Sequence, residues 1–136
     1  MSTTTMTSDQ LAELLPFADH LGLEVEGATA EEVVLRLPYS ERLCTAGGVL
    51  HGGALMSLAD TAGALCAFLL LPEGASGTTT VQSSTNFVRA VRGGGVRVTT
   101  RALHAGRRTI VVESEMHDDD GRLVAKTTQT QAVLGG

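Results

Sequence analysis

The segment from Gly53 to Leu70 reads GALMSLADTAGALCAFLL and carries a single charge, Asp60. A helix of that composition is apolar around its full circumference and belongs inside a domain, not on a solvated face. The rest of the chain must therefore supply a surface able to cover it. Asp60 is the anomaly in this segment. A carboxylate buried there is costly unless it is paired, hydrogen-bonded or opened to a cleft. Asp is also a poor helix-interior residue, because its short side chain competes for backbone hydrogen bonds. Three readings stand open: the N-cap of a shorter helix beginning at Thr61, a structural carboxylate held by Ser57 on the same helical face, or a group that does chemistry.

The run before the helix bears on that choice. Gly47, Gly48, Gly52 and Gly53 surround His51 and permit close backbone approach. The first N–H groups of a helix lack internal partners and sit at the positive end of its dipole. A glycine entry thus offers unobstructed donors to an anion or a polarised carbonyl oxygen. A loop of donors and a carboxylate in one short segment are two of the parts that acyl transfer needs.

Around this segment the organisation is simple. Residues 1–8 are polar and Thr/Ser-rich and are expected to be a disordered tail, with residues 9–136 forming one domain. A helical pattern runs from Asp9 to His20 with Leu11, Leu14, Leu15 and Phe17 on one side, and Pro16 breaks or kinks it. Leu23 to Leu37 alternates on both sides of Gly27-Ala-Thr and reads as a hairpin. Pro72, Glu73 and Gly74 end the apolar helix. Four strand-like stretches follow, at 77–91, 96–104, 108–117 and 122–134. The turn signals between them are Gly93-Gly-Gly, His104-Ala-Gly-Arg and Asp118-Asp-Asp-Gly. Long antiparallel strands and one apolar helix predict an α+β fold in which a curled sheet wraps the helix. Its open edges would be covered by pairing with a second copy.

Several function classes are disfavoured. A net charge of −5, with no Trp and one Tyr, argues against a nucleic-acid partner. Ser57, Asp60 and Gly63 interrupt the apolar run and make it a poor membrane span, and MSTTTMTSDQ lacks the features of a signal peptide. A cytoplasmic, reduced protein is the expectation. Cys66 reads as a small buried hydrophobe, and Cys44 has only Arg42 nearby to activate it. His20, His51, His104 and His117 show no zinc-ligand spacing, so no metal is expected. There is no G-x-S-x-G nucleophile elbow.

The run Gly47-Gly-Val-Leu-His51-Gly52-Gly53-Ala-Leu-Met-Ser-Leu-Ala-Asp60-Thr-Ala resembles the signature of the hotdog-fold acyl-CoA thioesterases. More narrowly it resembles the PaaI-like branch, of phenylacetyl-CoA and 4-hydroxybenzoyl-CoA thioesterase type. Thr85-Asn-Phe87-Val-Arg89 resembles that family's strand after the helix. Gly106-Arg-Arg108-Thr-Ile-Val-Val-Glu113 and Asp120-Gly-Arg-Leu-Val-Ala125 resemble its C-terminal hairpin. The likeness covers about residues 20–134 in the family's order.

The resemblance implies hydrolysis of an acyl-CoA with a small or aromatic acyl group, and a hotdog fold. Asp60 would be nucleophile or general base, and the Gly52 N–H would polarise the thioester carbonyl. The site would be assembled across a homodimer, with tetramers common. No cofactor is implied; coenzyme A enters as part of the substrate. Thr80 would position water, with Ser83 a second match, although a β-branched residue in a strand needs no such role. His51 would shape the loop and position the site; its near-neutral titration range keeps a base role open. Thr45 stands six residues before His51, where the family commonly has Asn or Gln to orient the thioester. Gly53, beside the oxyanion donor, would belong to the substrate-binding residues. Arg89 and the turn Gly106, Arg107, Arg108 and Thr109 would meet the phosphates of coenzyme A, or be solvated surface. Two other readings remain: an acyl-CoA-binding module without catalysis, and an acyl-thioester hydratase or dehydratase, which the Asp60 spacing fits poorly.

Overall fold

The computed structural model describes residues 6–135. Two short helices, α1 (Ser8–Leu14) and α2 (Pro16–Leu21), precede a hairpin of β1 (Glu24–Ala28) and β2 (Val33–Pro38). A single 3-10 turn at Glu41–Leu43 leads into α3 (Gly52–Phe68). Strands β3 (Gly77–Phe87), β4 (Gly95–Ala105), β5 (Thr109–Asp118) and β6 (Leu123–Leu134) follow. The six strands form one antiparallel sheet in the order β1-β2-β4-β5-β6-β3, and α3 packs against five of them.

Strand alternation sets which side chains meet the helix. Val33, Leu35 and Leu37 of β2, Val96 and Val98 of β4, and Ile110, Val112 and Met116 of β5 are fully buried. Leu55, Leu58, Ala59, Ala62 and Leu65 of α3 complete this core. Buried hydroxyls pair with each other instead of being stranded, as Thr100 with Ser114 at 2.7 Å. Leu58 has no exposed surface. Leu58→Ala should therefore lower unfolding stability by about 2–5 kcal/mol, read by urea denaturation.

The β5–β6 turn shows how the Asp-Gly signal works. Asp118 Oδ1 accepts from the N–H groups of Asp120 and Arg122, and Gly121 takes φ +79°. These bonds, the Arg122 N–H first, hold the Asp118 carboxyl below its usual titration range.

Three expectations need correction. The tail does not reach residue 8: Thr7 caps α1 in a reciprocal capping box with Gln10, and Ser8 Oγ accepts from the Val25 N–H at 2.8 Å. Residues 1–5 lie outside the described residues. The Asp9–His20 helix is two helices, because Pro16 lacks the N–H needed to continue α1 and instead starts α2. Leu11 of α1 and Ala18 and Leu21 of α2 are buried, while Leu14, Leu15 and Phe17 are exposed, so the four residues do not share one buried side.

The third correction concerns α3. The sheet covers one side of the helix and leaves a stripe open at Met56, Asp60, Ala64 and Phe68, spaced four apart along one face. Met56 is 42% and Phe68 55% exposed, and Asp60 is exposed between them. Strand β3 lies at the sheet edge beside this stripe and is exposed along most of its length, including Val81 and Phe87, as is Val88 just after it. Asp60 is therefore not a buried charge within the chain. Among the described residues, no helix is long and apolar enough to cross a membrane.

Candidate active site

Helix α3 begins where His51 ends the loop. The His51 side chain caps it, with Nδ1 accepting from the Gly53 N–H at 2.7 Å, and the His51 N–H donates to the Leu43 carbonyl at 2.9 Å. His51 thus shapes the helix entry, while its ring remains exposed. With the Gly53 N–H taken up, the donor left at this helix end is that of Gly52, which has no acceptor among the described residues. The Phe87 ring lies over Gly52, close enough that a Cβ on the glycine would sit 3.2 Å from Cζ.

Asp60 lies in the middle of α3 and caps nothing, so the shorter-helix reading fails. Ser57 does not hold it either, since Ser57 Oγ donates to the Gly53 carbonyl at 2.7 Å. Its partners come from the sheet. Thr80 Oγ1 donates to Asp60 Oδ1 at 2.9 Å, and Gln129 Nε2 donates to the same oxygen at 2.5 Å. Thr80 is thereby placed at the carboxylate itself. Ser83 makes no such bond. An irregularity in β3 between Thr80 and Gln82 produces this placement, setting Thr80 opposite Gln131 and Ser83 opposite Gln129. Such bulges re-aim side chains at the cost of one ladder pair.

Sequence reasoning missed Gln129, Gln131 and Phe87. Gln129 and Gln131 sit in a run, KTTQTQ, that is polar on both strand faces, so alternation does not say which face turns inward. The parity of Ala125, the last apolar residue before that run, is the signal that places 127, 129 and 131 on the buried side.

The other candidates lie farther off. Thr45 is exposed in the loop, its N–H donating to the Val49 carbonyl at 2.8 Å. Arg89 follows β3 and lines a groove with Gly52, Leu55 and Phe87. The turn of Gly106, Arg107, Arg108 and Thr109 lies at the opposite end of the sheet, where the Arg108 carbonyl accepts from Val133 and the arginines adjoin Pro72 and Ala75. A strand rises about 3.3 Å per residue, so the length of β3 separates Arg89 from that turn within one chain. Cys66 is buried in α3, which pushes its thiol up to about 11 and leaves it unreactive near neutrality. Cys44 is half-buried, with Sγ donating to the Ser40 carbonyl. Among the described residues, no three His, Cys, Asp or Glu side chains gather as a metal site would require.

An antiparallel sheet curled on one long helix, with a carboxylate and a free helix-terminal N–H on the helix's open side, is the hotdog fold carrying the parts of an acyl-transfer site. The comparisons with known proteins agree. The model of the thioesterase superfamily matches residues 47–125. The 1,4-dihydroxy-2-naphthoyl-CoA hydrolase of Escherichia coli is 33% identical over 116 residues, covering 85% of this chain and 79% of that protein. The solved structure of thioesterase HI1161 from Haemophilus influenzae superposes with a TM-score of 0.88 at 27% identity, covering 98% of this chain and 94% of that one. The PaaI protein of E. coli, at 23% identity and a TM-score of 0.84 over 96% and 92% of the two chains, shares the fold. The chain belongs to the thioesterase superfamily and is a thioester hydrolase.

Proposed function

We propose that the protein hydrolyses an acyl-CoA thioester at a site completed by two copies of the chain. The observation that carries this reading is the separation of Gly52 from Asp60. They lie eight residues apart on one helix, which at 1.5 Å per residue is about 12 Å. A thioester carbonyl must accept from the donor at about 3 Å while its carbon lies about 3 Å from the attacking atom or water. That span is longer than donor, carbonyl and attacking atom cover in line, which favours a donor brought by another copy over the one on the same helix. A second copy, with its own α3 running the other way, brings its Gly52 to the first copy's Asp60. The open stripe on α3 and the edge strand β3 are the surfaces such pairing would cover. Dimers of dimers are compatible with this arrangement.

In this reading the Gly52 N–H of one copy polarises the carbonyl oxygen, and the helix dipole favours the charge that develops there. Asp60 of the other copy attacks the carbonyl carbon, or takes a proton from the water that does. The tetrahedral species collapses and expels the coenzyme A thiolate, which is protonated to the thiol. Direct attack adds an acyl-aspartyl anhydride that water then cleaves. Coenzyme A is part of the substrate, and the chain's own groups supply the rest. Arg89 of one copy and Arg107 and Arg108 of the other would approach each other across antiparallel β3 strands, giving the phosphates cationic partners.

A relative that hydrolyses an aryl-CoA supports a small or aromatic acyl group. A panel of aryl-, short- and medium-chain acyl-CoAs, followed by thiol release, tests both points. Hydrolysis is expected, with aryl or short-chain acyl-CoA having the highest kcat/KM. Binding without thiol release from any of them would instead mark an acyl-CoA-binding module.

A further inference from the structure

Strand β6 carries two glutamines, Gln129 and Gln131, both fully buried on the face that covers α3. In a core otherwise built of Leu, Val and Ala, buried amides persist where their hydrogen bonds are used. The Gln129 amide donates to Asp60 Oδ1 at 2.5 Å and approaches Thr80 Oγ1 at 3.3 Å. The Gln131 amide donates to Thr80 Oγ1 at 2.6 Å, and that hydroxyl donates onward to Asp60 Oδ1 at 2.9 Å.

Every donor in this chain points toward one carboxylate oxygen, and Asp60 Oδ2 receives none of these bonds. The Gln129 orientation follows from its partner, since turning that amide would aim its oxygen at a carboxylate, and the Gln131 amide donates because the Thr80 hydroxyl gives its proton to Asp60. The cost appears at the other end, where Gln129 Oε1 and Gln131 Oε1 are buried without a partner among the described residues. Room for the first comes from Gly63, three residues beyond Asp60, where a Cβ would overlap Gln129 Oε1.

We propose that Gln129 and Gln131 are positioning residues for hydrolysis. They fix Asp60 by Oδ1, one directly and one through the Thr80 hydroxyl, so that Oδ2 is the oxygen presented to water or thioester. Thr80 is then a link in this relay, its proton committed to Asp60. The proposal rests on the reading of Asp60 as the reacting carboxylate.

The test uses Gln129→Met, close in volume, in the full chain with an acyl-CoA that the wild type hydrolyses. kcat should fall about 10- to 100-fold, the scale of one lost hydrogen bond to a charged group, with KM within about twofold. In an Asp60→Asn background the same substitution should cause no further loss, because the group it orients is gone. Equal losses in both backgrounds, or a change in KM alone, would overturn the relay. So would an unchanged kcat in Gln129→Met while Asp60→Asn is inactive. Full activity in Asp60→Asn would instead remove the underlying reading of Asp60. Should Gln129→Met fail to fold, Gln131→Met asks the same question. Its loss of kcat must vanish in a Thr80→Val background, and an undiminished loss there would overturn the proposal.

Discussion

Asp60→Asn should lower kcat for thioester hydrolysis by about 10²- to 10⁴-fold, the range for removing a positioned base, and by no less if the carboxylate is the nucleophile. Asn has the same shape but neither attacks a thioester nor takes a proton from water at neutral pH. The substitution keeps an Oδ1 that can accept from Thr80 Oγ1 and Gln129 Nε2, so the local contacts survive. Asp60 is exposed on the open stripe of α3, and no core packing depends on its charge. The melting temperature should therefore stay within a few degrees of wild type, because Asn keeps the shape and the Oδ1 contacts. Thiol release under saturating substrate measures the first effect, and a thermal scan of the same preparation measures the second.

Gly52→Pro is the second large effect. A backbone N–H cannot be truncated, but proline removes it, and Gly52 occupies the first position of α3, where proline is well tolerated. His51 before it has φ −63° and ψ 137°, the extended geometry that a residue preceding proline prefers. The new ring crowds Phe87, which is 49% exposed and has space to turn aside. Loss of one oxyanion donor should cost about 10²- to 10³-fold in kcat. Gly52→Ala is the control, because it introduces the same Cβ and keeps the N–H. An alanine variant as impaired as the proline variant would assign the effect to crowding at Phe87 rather than to the donor.

The parts of this site differ in how visible they are in the sequence. Asp60 was legible because it is a lone charge in an apolar helix, and Gly52 because glycines flank the helix start. The four C-terminal strands were legible from alternation and from turn residues such as Asp118 and Gly121. Lys126 to Gln131 is polar throughout, so alternation within that run does not show which face of β6 turns inward; only the parity of Ala125 before it does, and the two glutamines were overlooked for that reason. The α1–α2 break was visible in Pro16, but the exposure of Leu14, Leu15 and Phe17 was not. The exposure of Asp60 also went unseen. An apolar helix reads as fully buried, yet part of its apolar surface, Met56 and Phe68, faces outward where a second chain would cover it.

The shared site has a direct test in mixed oligomers of two inactive parents, Asp60→Asn and Gly52→Pro. If Asp60 of one copy works with Gly52 of the other, every mixed dimer holds one intact site and one doubly defective site. With equal amounts unfolded and refolded together, half of the dimers are mixed and half of their sites are intact, so about a quarter of wild-type activity should return. Activity no greater than the sum of the two parents, in a preparation shown to contain mixed dimers, would contradict the shared site.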